Sequence, residues 1–82
     1  RLARFRFEIN GHTDVAGRLG YNLALSELRA ASVVDYLAGR GVERARLKPQ
    51  GFGPLQLLDP ANPRSEVNRR VEVFAVPPAP AS

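Results

Sequence analysis

The apolar residues of this chain change their period twice, and that change sets the order of its elements. From Ala3 to Asn10, Phe5, Phe7 and Ile9 alternate with Arg4, Arg6 and Glu8. A period of two, with aromatic and β-branched residues on one side, predicts a half-buried strand. From about Leu19 to Ala38 the apolar positions fall instead at Leu23, Ala30, Val34 and Leu37, spacings of seven, four and three. Such spacings lay one stripe along an α-helix. Alanine, leucine, glutamate and arginine dominate this stretch and favour helix, and Gly39 and Gly41 supply its stop. Arg46 to Phe52 is again short and apolar at alternate ends, with Pro49 inside it. Proline cannot donate to a ladder, so this strand belongs at a sheet edge. Strand, helix and strand at this length form a βαβ unit, with parallel strands and a right-handed crossover.

Pro54 to Pro63 reads as a loop, with Asp59-Pro60 and Asn62-Pro63 as its turn signals. Ser65 to Asn68 is predicted as one helical turn. Val71, Val73 and Ala75 then alternate with Arg70, Glu72 and Phe74 in a third strand, Arg69 to Val76. The proline-rich end, residues 77–82, reads as an extended tail on a domain of residues 1–76. There is no internal repeat. One helix covers one face of such a sheet, and the chain reads as if an N-terminal element has been removed.

Eighty-two residues allow one domain near the lower size limit. A hydrophobic content of 44% and a charged content of 24% exclude wholesale disorder. No apolar run approaches the ~20 residues of a spanning helix, and no apolar leader follows the opening Arg-Leu-Ala-Arg-Phe-Arg. The absence of cysteine excludes disulfides, thiol catalysis and zinc–thiolate sites. The single histidine, His12, excludes any site needing two imidazoles from one chain. The net charge is +4, and eleven of the twelve cations are arginines scattered along the chain. Scattered charge reads first as a solvated surface.

The segment after the first strand carries the clearest chemistry. Gly11-His12-Thr13-Asp14 reads as a loop leaving the strand, with Gly17 and Gly20 following. In open α/β sheets, ligands bind beyond the carboxyl ends of strands, and amides at a helix start attract anions. Asp14 adds a fixed negative charge there. Asn22, Leu25, Ser26 and Arg29 share one helix flank beside the apolar stripe. An arginine in that place either snorkels or holds a partner, and toward the strand ends it makes a bidentate anion clamp. Asp14 and Arg29 together would bind a zwitterion, ammonium to the one and carboxylate to the other. An internal Asp14–Arg29 salt bridge is the plainer alternative, and spacing leaves both open.

Other chemistries find little support. His12 shares a strand side with Glu8 and Asn10, and reads as a hydrogen-bonded structural histidine rather than a metal ligand. No serine sits in a nucleophile elbow, and glycines 11, 17 and 20 fit neither dinucleotide nor phosphate-loop patterns. Asn68-Arg69-Arg70-Val71-Glu72 is the densest basic cluster. Adjacent strand residues point to opposite faces, and Phe5, Phe7 and Phe52 read as core, so nucleic-acid binding is disfavoured. No catalytic set and no cofactor site emerges, which reads as a binding protein rather than an enzyme.

These residues also form an ordered series. Glu8-Ile9-Asn10-Gly11-His12-Thr13-Asp14 is followed by Gly17, Tyr21-Asn22, Leu25-Ser26, Arg29-Ala30, Tyr36-Leu37, Gly41-Val42 and Arg46-Leu47. Gly51-Phe52-Gly53 and Asn68-Arg69-Arg70-Val71-Glu72 complete it. From Phe5 to Phe74 the chain closely resembles the OmpA-like (OmpA/MotB C-terminal) peptidoglycan-binding domain. The resemblance implies an α+β two-layer sandwich of β-α-β-α-β-β order, here reduced to roughly β-α-β-β. It implies non-catalytic binding of peptidoglycan through the diaminopimelate of the stem peptide, in the periplasm, anchoring an envelope or outer-membrane protein to the wall. Asp14 and Arg29 fall on the residues that carry recognition in this family. Thr13, Asn22 and Leu25 match positions that line the same groove, and Arg70 is taken as the member of the arginine pair near the site. The family's first strand and helix have no counterpart here. That implies an exposed apolar surface and an incomplete groove, to be completed by a homodimer partner or a missing N-terminal segment. Pro63-Arg64 also departs from the glycine the family often has there. The alternative implied is an assembly module of an envelope or secretion complex with weak or no wall binding.

Overall fold

Alternation at the start of the chain and helical spacing after it produce the expected elements in the expected order. The computed structural model describes residues 5–78. Strand β1 spans Arg6–His12, helix α1 Leu19–Gly39, β2 Leu47–Gly53 and β3 Arg70–Val76. Single 3-10 turns at Arg44–Arg46 and Glu66–Asn68 precede β2 and β3. The sheet order is β2-β1-β3, with β1 parallel to β2 and antiparallel to β3. The strand that contains Pro49 therefore lies at an edge, where its missing N–H costs least. The predicted start of the first strand, Ala3 and Arg4, lies outside the described residues, as do the last four residues of the tail.

The core is small: Ile9, Ala30, Val34 and Leu47 are buried, with Phe7, Val33, Leu37, Val42 and Val71 packed against them. The helix buries the predicted stripe in part: Ala30 and Val34 are buried and Leu37 packs on the core, while Leu23 is half-buried. The buried residues of the helix are Asn22, Ser26, Ala30 and Val34, a run of i, i+4 steps. The reason lies in the strands beneath. A Cβ on Gly11 would meet the Ser26 backbone carbonyl, and one on Gly51 would lie 2.6 Å from the Glu27 amide nitrogen. The helix thus rests directly on two glycines, and only short side chains fit between. Ser26 uses its hydroxyl there, accepting from Gly53 N at 2.9 Å and donating to Leu23 O at 2.8 Å. The large apolar Leu23 and Leu37 flank this seam.

Helix α1 ends by a glycine device. Gly41 has φ of 100°, the Gly41 amide donates to Ala38 O at 3.1 Å, and the Val42 amide donates to Leu37 O at 3.1 Å. This pair of bonds with a left-handed residue is the Schellman arrangement, and both Leu37 and Val42 join the core. Gly39 stays inside the helix. At the far edge of the sheet, Val73 and Phe74 of β3 are about half exposed. The helix lies over β2 and β1 and barely reaches β3.

Candidate functional site

Strand β1 runs further than the glycine suggests. Gly11 and His12 remain in the sheet, paired with Gly51 and Gly53 of β2 and with Val71 and Arg70 of β3. Gly11 serves the close approach of the helix, not a turn. A register shift falls between Gly11 and His12, and the Thr13 amide then closes the strand end on Gly53 O at 2.8 Å. The chain leaves the sheet at Thr13, and Asp14 stands at the carboxyl end of the central strand.

Asp14 is buried and held from three sides. Its Oδ1 accepts from the Ala16 amide at 3.0 Å, and its Oδ2 accepts from Arg69 Nη1 at 2.6 Å. The amide of Val15 donates to Pro63 O at 3.2 Å. The Arg69 hydrogen bond, then the Ala16 amide, hold the Asp14 carboxyl below the usual range, against the opposing effect of burial. Thr13 is buried, with Oγ1 donating to Asp14 O at 2.9 Å. Asn22 lies beneath the loop, donating from Nδ2 to Ala16 O at 2.8 Å and Asp14 O at 3.5 Å. Thr13 and Asn22 therefore spend their polar groups on the shape of this loop.

The Asp14–Arg29 salt bridge that spacing left open does not form: the partner of Asp14 is Arg69. Among the described residues Arg29 makes no ion pair. It is exposed and, with Ser32, Val33, Arg69, Arg70 and Val71, lines a shallow depression of about 480 Å³. Leu25 is half-buried one turn before it. Arg70 borders the depression, but its guanidinium is engaged elsewhere. Its Nε donates to Glu72 Oε2 at 2.9 Å, Nη1 to Asn68 O at 3.1 Å and Nη2 to Gln56 O at 3.2 Å. Of the arginine pair, Arg69 is the one that joins Asp14 to the depression. Strand parity could not choose between them, because Arg69 caps the 3-10 turn and precedes β3.

Asn68 is the residue that sequence reasoning passed over. It is fully buried. Its Oδ1 accepts from the Asp59 amide at 2.9 Å, and its Nδ2 donates to Asn62 O at 3.0 Å and Pro63 O at 3.4 Å. One side chain thus gathers the long loop between β2 and β3 and delivers the adjacent Arg69 to Asp14. His12 is also buried, stacked on Phe52 with centroids 5.5 Å apart, and its Nε2 lies 3.5 Å from Glu72 Oε1. Burial, then the Arg70 charge, lowers its pKa, while Glu72 opposes the shift. Among the described residues no group of three or more His, Asp or Glu side chains could hold a metal ion.

The loop, the pinned carboxylate and the arginines give one corner both signs of charge, the chemistry that recognises a zwitterion or a carboxylate. Known proteins are similar to this chain in sequence and in fold. The chain is 37% identical over 77 residues to the peptidoglycan-associated lipoprotein of Brucella melitensis, covering 90% of this chain and 46% of that protein. It is 41% identical over 70 residues to the peptidoglycan-binding protein ArfA of Mycobacterium bovis, covering 83% of this chain and 22% of that protein. Among solved structures it is similar to the OmpA-like domain of FopA1 from Francisella tularensis, with a TM-score of 0.78 and 27% identity. That match covers 94% of this chain and 53% of the other. The chain spans about half of the Brucella protein and of the FopA1 chain. Residues 2–70 match the family model of the OmpA family, and with the fold and the sequence relatives in agreement, this chain belongs to that family.

Proposed function

We propose that this chain binds peptidoglycan without catalysis, through the diaminopimelate of the stem peptide, and so anchors an envelope protein to the cell wall from the periplasm. The relatives named for peptidoglycan binding support the polymer as ligand. One observation carries the finer reading. Arg29, with no ion pair among the described residues, lines the same depression as Arg69, whose Nη1 holds the Asp14 carboxylate at 2.6 Å. Diaminopimelate offers an ammonium and a carboxylate at its side-chain end. The ammonium meets Asp14, whose oxygens keep lone pairs beyond those given to Arg69 and Ala16, and the carboxylate meets Arg29. Thr13 and Asn22 hold the loop in shape, Leu25 supplies apolar contact, and Arg70 borders the groove. The positive net charge suits an anionic polymer.

The test is a pull-down with purified diaminopimelate-type sacculi, with Asp14→Ala and Arg29→Ala beside wild type. Both variants should stay folded and lose binding. Wild-type retention by both would overturn the site. Lysine-type sacculi lack the side-chain carboxylate and should bind more weakly. A second reading is favoured by β3, an open edge with Val73 and Phe74 half exposed. On that reading the domain is an assembly module of an envelope or secretion complex, its sheet completed by a second copy or by a segment preceding residue 1. A folded chain that binds no sacculi but associates through β3 would decide for it.

A further inference from the structure

A second basic site stands at the opposite end of the sheet from Asp14. A cavity of about 530 Å³ opens where β1 begins, bordered by Arg6 and Glu8 of β1, Arg44 and Arg46 of the 3-10 turn, and Lys48 of β2. It lies roughly 20 Å along β1 from the Asp14 loop, from the rise of a strand, so the two sites do not share residues. Four cations face one carboxylate. Among the described residues Arg6 and Lys48 make no ion pair. Arg44 pairs with Asp35 at 2.9 Å, but both side chains are more than 60% exposed. Such a pair holds a guanidinium weakly, so Arg44 is free to turn toward a stronger anion. Arg46 is anchored, with Nε donating to Phe5 O at 2.8 Å and its guanidinium over the Phe7 ring.

The rest of the lining is apolar. Leu47, Pro49 and Val76 belong to it together with Phe7 and Ala45. A cationic rim over an aliphatic floor matches a ligand with an anionic head on an apolar body. A nucleic acid would want aromatic faces free for stacking, and the one ring here, Phe7, already lies under Arg46. The geometry points to a docking site for an anionic lipid surface, with Arg6, Arg44 and Lys48 receiving phosphate head groups and the exposed Ala45 and Pro49 resting at the head-group boundary. A domain built this way holds wall polymer at one pole and a membrane surface at the other.

The experiment is co-sedimentation of the full chain with phosphatidylcholine vesicles, with and without phosphatidylglycerol. Binding should require the anionic lipid and fall as salt rises. Arg6→Gln/Lys48→Gln should weaken partitioning by about five-fold for each cation removed. Arg44→Gln, in the turn rather than a strand, should give part of that loss and keeps the test open if the double variant fails to fold. Arg18→Gln, at the other pole, should change partitioning less than two-fold, and the double variant should still sediment with sacculi. Equal binding to both vesicle types would overturn the proposal. So would an equal loss in Arg18→Gln, displacement by millimolar inorganic phosphate, or tighter binding to an oligonucleotide than to anionic vesicles.

Discussion

Removing the Asn68 side chain should loosen the fold and the site together. Asn68→Ala takes away the acceptor of the Asp59 amide and the donor to Asn62 O. Each bond contributes about 1 kcal/mol net. The bond to Pro63 O, at 3.4 Å, adds little. Asp59 is half-buried, so water reaches its freed amide in part and the cost of stranding it stays near the low end. The total is about 2–3 kcal/mol. Unfolding entropy of roughly 2 cal/mol/K per residue over a chain this short converts that into a Tm lower by about 12–18 °C. Scanning calorimetry reads it directly. Asn68→Asp keeps the acceptor and loses the donor, so it should fall between the two. Because Asn68 delivers Arg69, the Ala variant should also raise the pKa of Asp14 toward its ordinary value, read from side-chain carboxyl chemical shifts. A Tm within about 3 °C of wild type, or an unmoved Asp14, would refute the idea that this side chain holds the loop.

Gly11→Ala places a Cβ on the Ser26 carbonyl, which belongs to a helix backbone and cannot step aside; urea titration should show a loss of about 2–3 kcal/mol. Gly20→Ala, with open space around it in the first turn of the helix, should gain about 0.5–1 kcal/mol in the same assay. Asp14 has its pKa depressed in the fold, so its contribution is present above the unfolded value of 3.8 and is lost as pH falls through the folded value. Arg69→Gln should remove most of that acid-limb dependence. His12 is depressed from 6.5, so the folded state disfavours its charge. Stability should begin to fall as pH drops below about 6.5, and His12→Gln should flatten a chemical-denaturation pH profile in that window.

Much of the fold was legible because period and punctuation agreed. The alternation of Phe7 and Ile9, the helical run from Leu19 and the edge signal of Pro49 each depend on local chemistry, and each element formed where that chemistry placed it. Only the Ala30, Val34 and Leu37 part of the helix face was legible. A search for apolar stripes passes over Asn22 and Ser26, since nothing local marks a polar residue as buried. The burial of Ser26 follows from Gly11 and Gly51, distant in sequence, which let the helix rest on bare strand backbone, and that of Asn22 from the loop of Asp14 to Ala16 folded over it. Gly11, followed by Gly17 and Gly20, reads as the start of a loop, because a glycine before a polar run has the same local appearance in both roles.

The site divides along the same line. A carboxylate at a strand end marks Asp14 as a candidate, and an arginine on a helix flank marks Arg29. The identity of the internal partner of Asp14 could not be counted out. Arg69 and Arg70 are neighbours, and parity assigns faces only inside a strand. The 3-10 turn ends at Asn68, the strand begins at Arg70, and Arg69 belongs to neither. What decides its direction is the set of bonds that Asn68 makes to residues five to nine positions earlier. That division has a chemical consequence. On the proposed reading, because Arg69 already holds the Asp14 carboxylate in place, Arg29 need not serve the loop, and its charge remains for the ligand. A chain in which Arg29 itself paired with Asp14 would have to break that bond to bind; here the carboxylate is set before the ligand arrives.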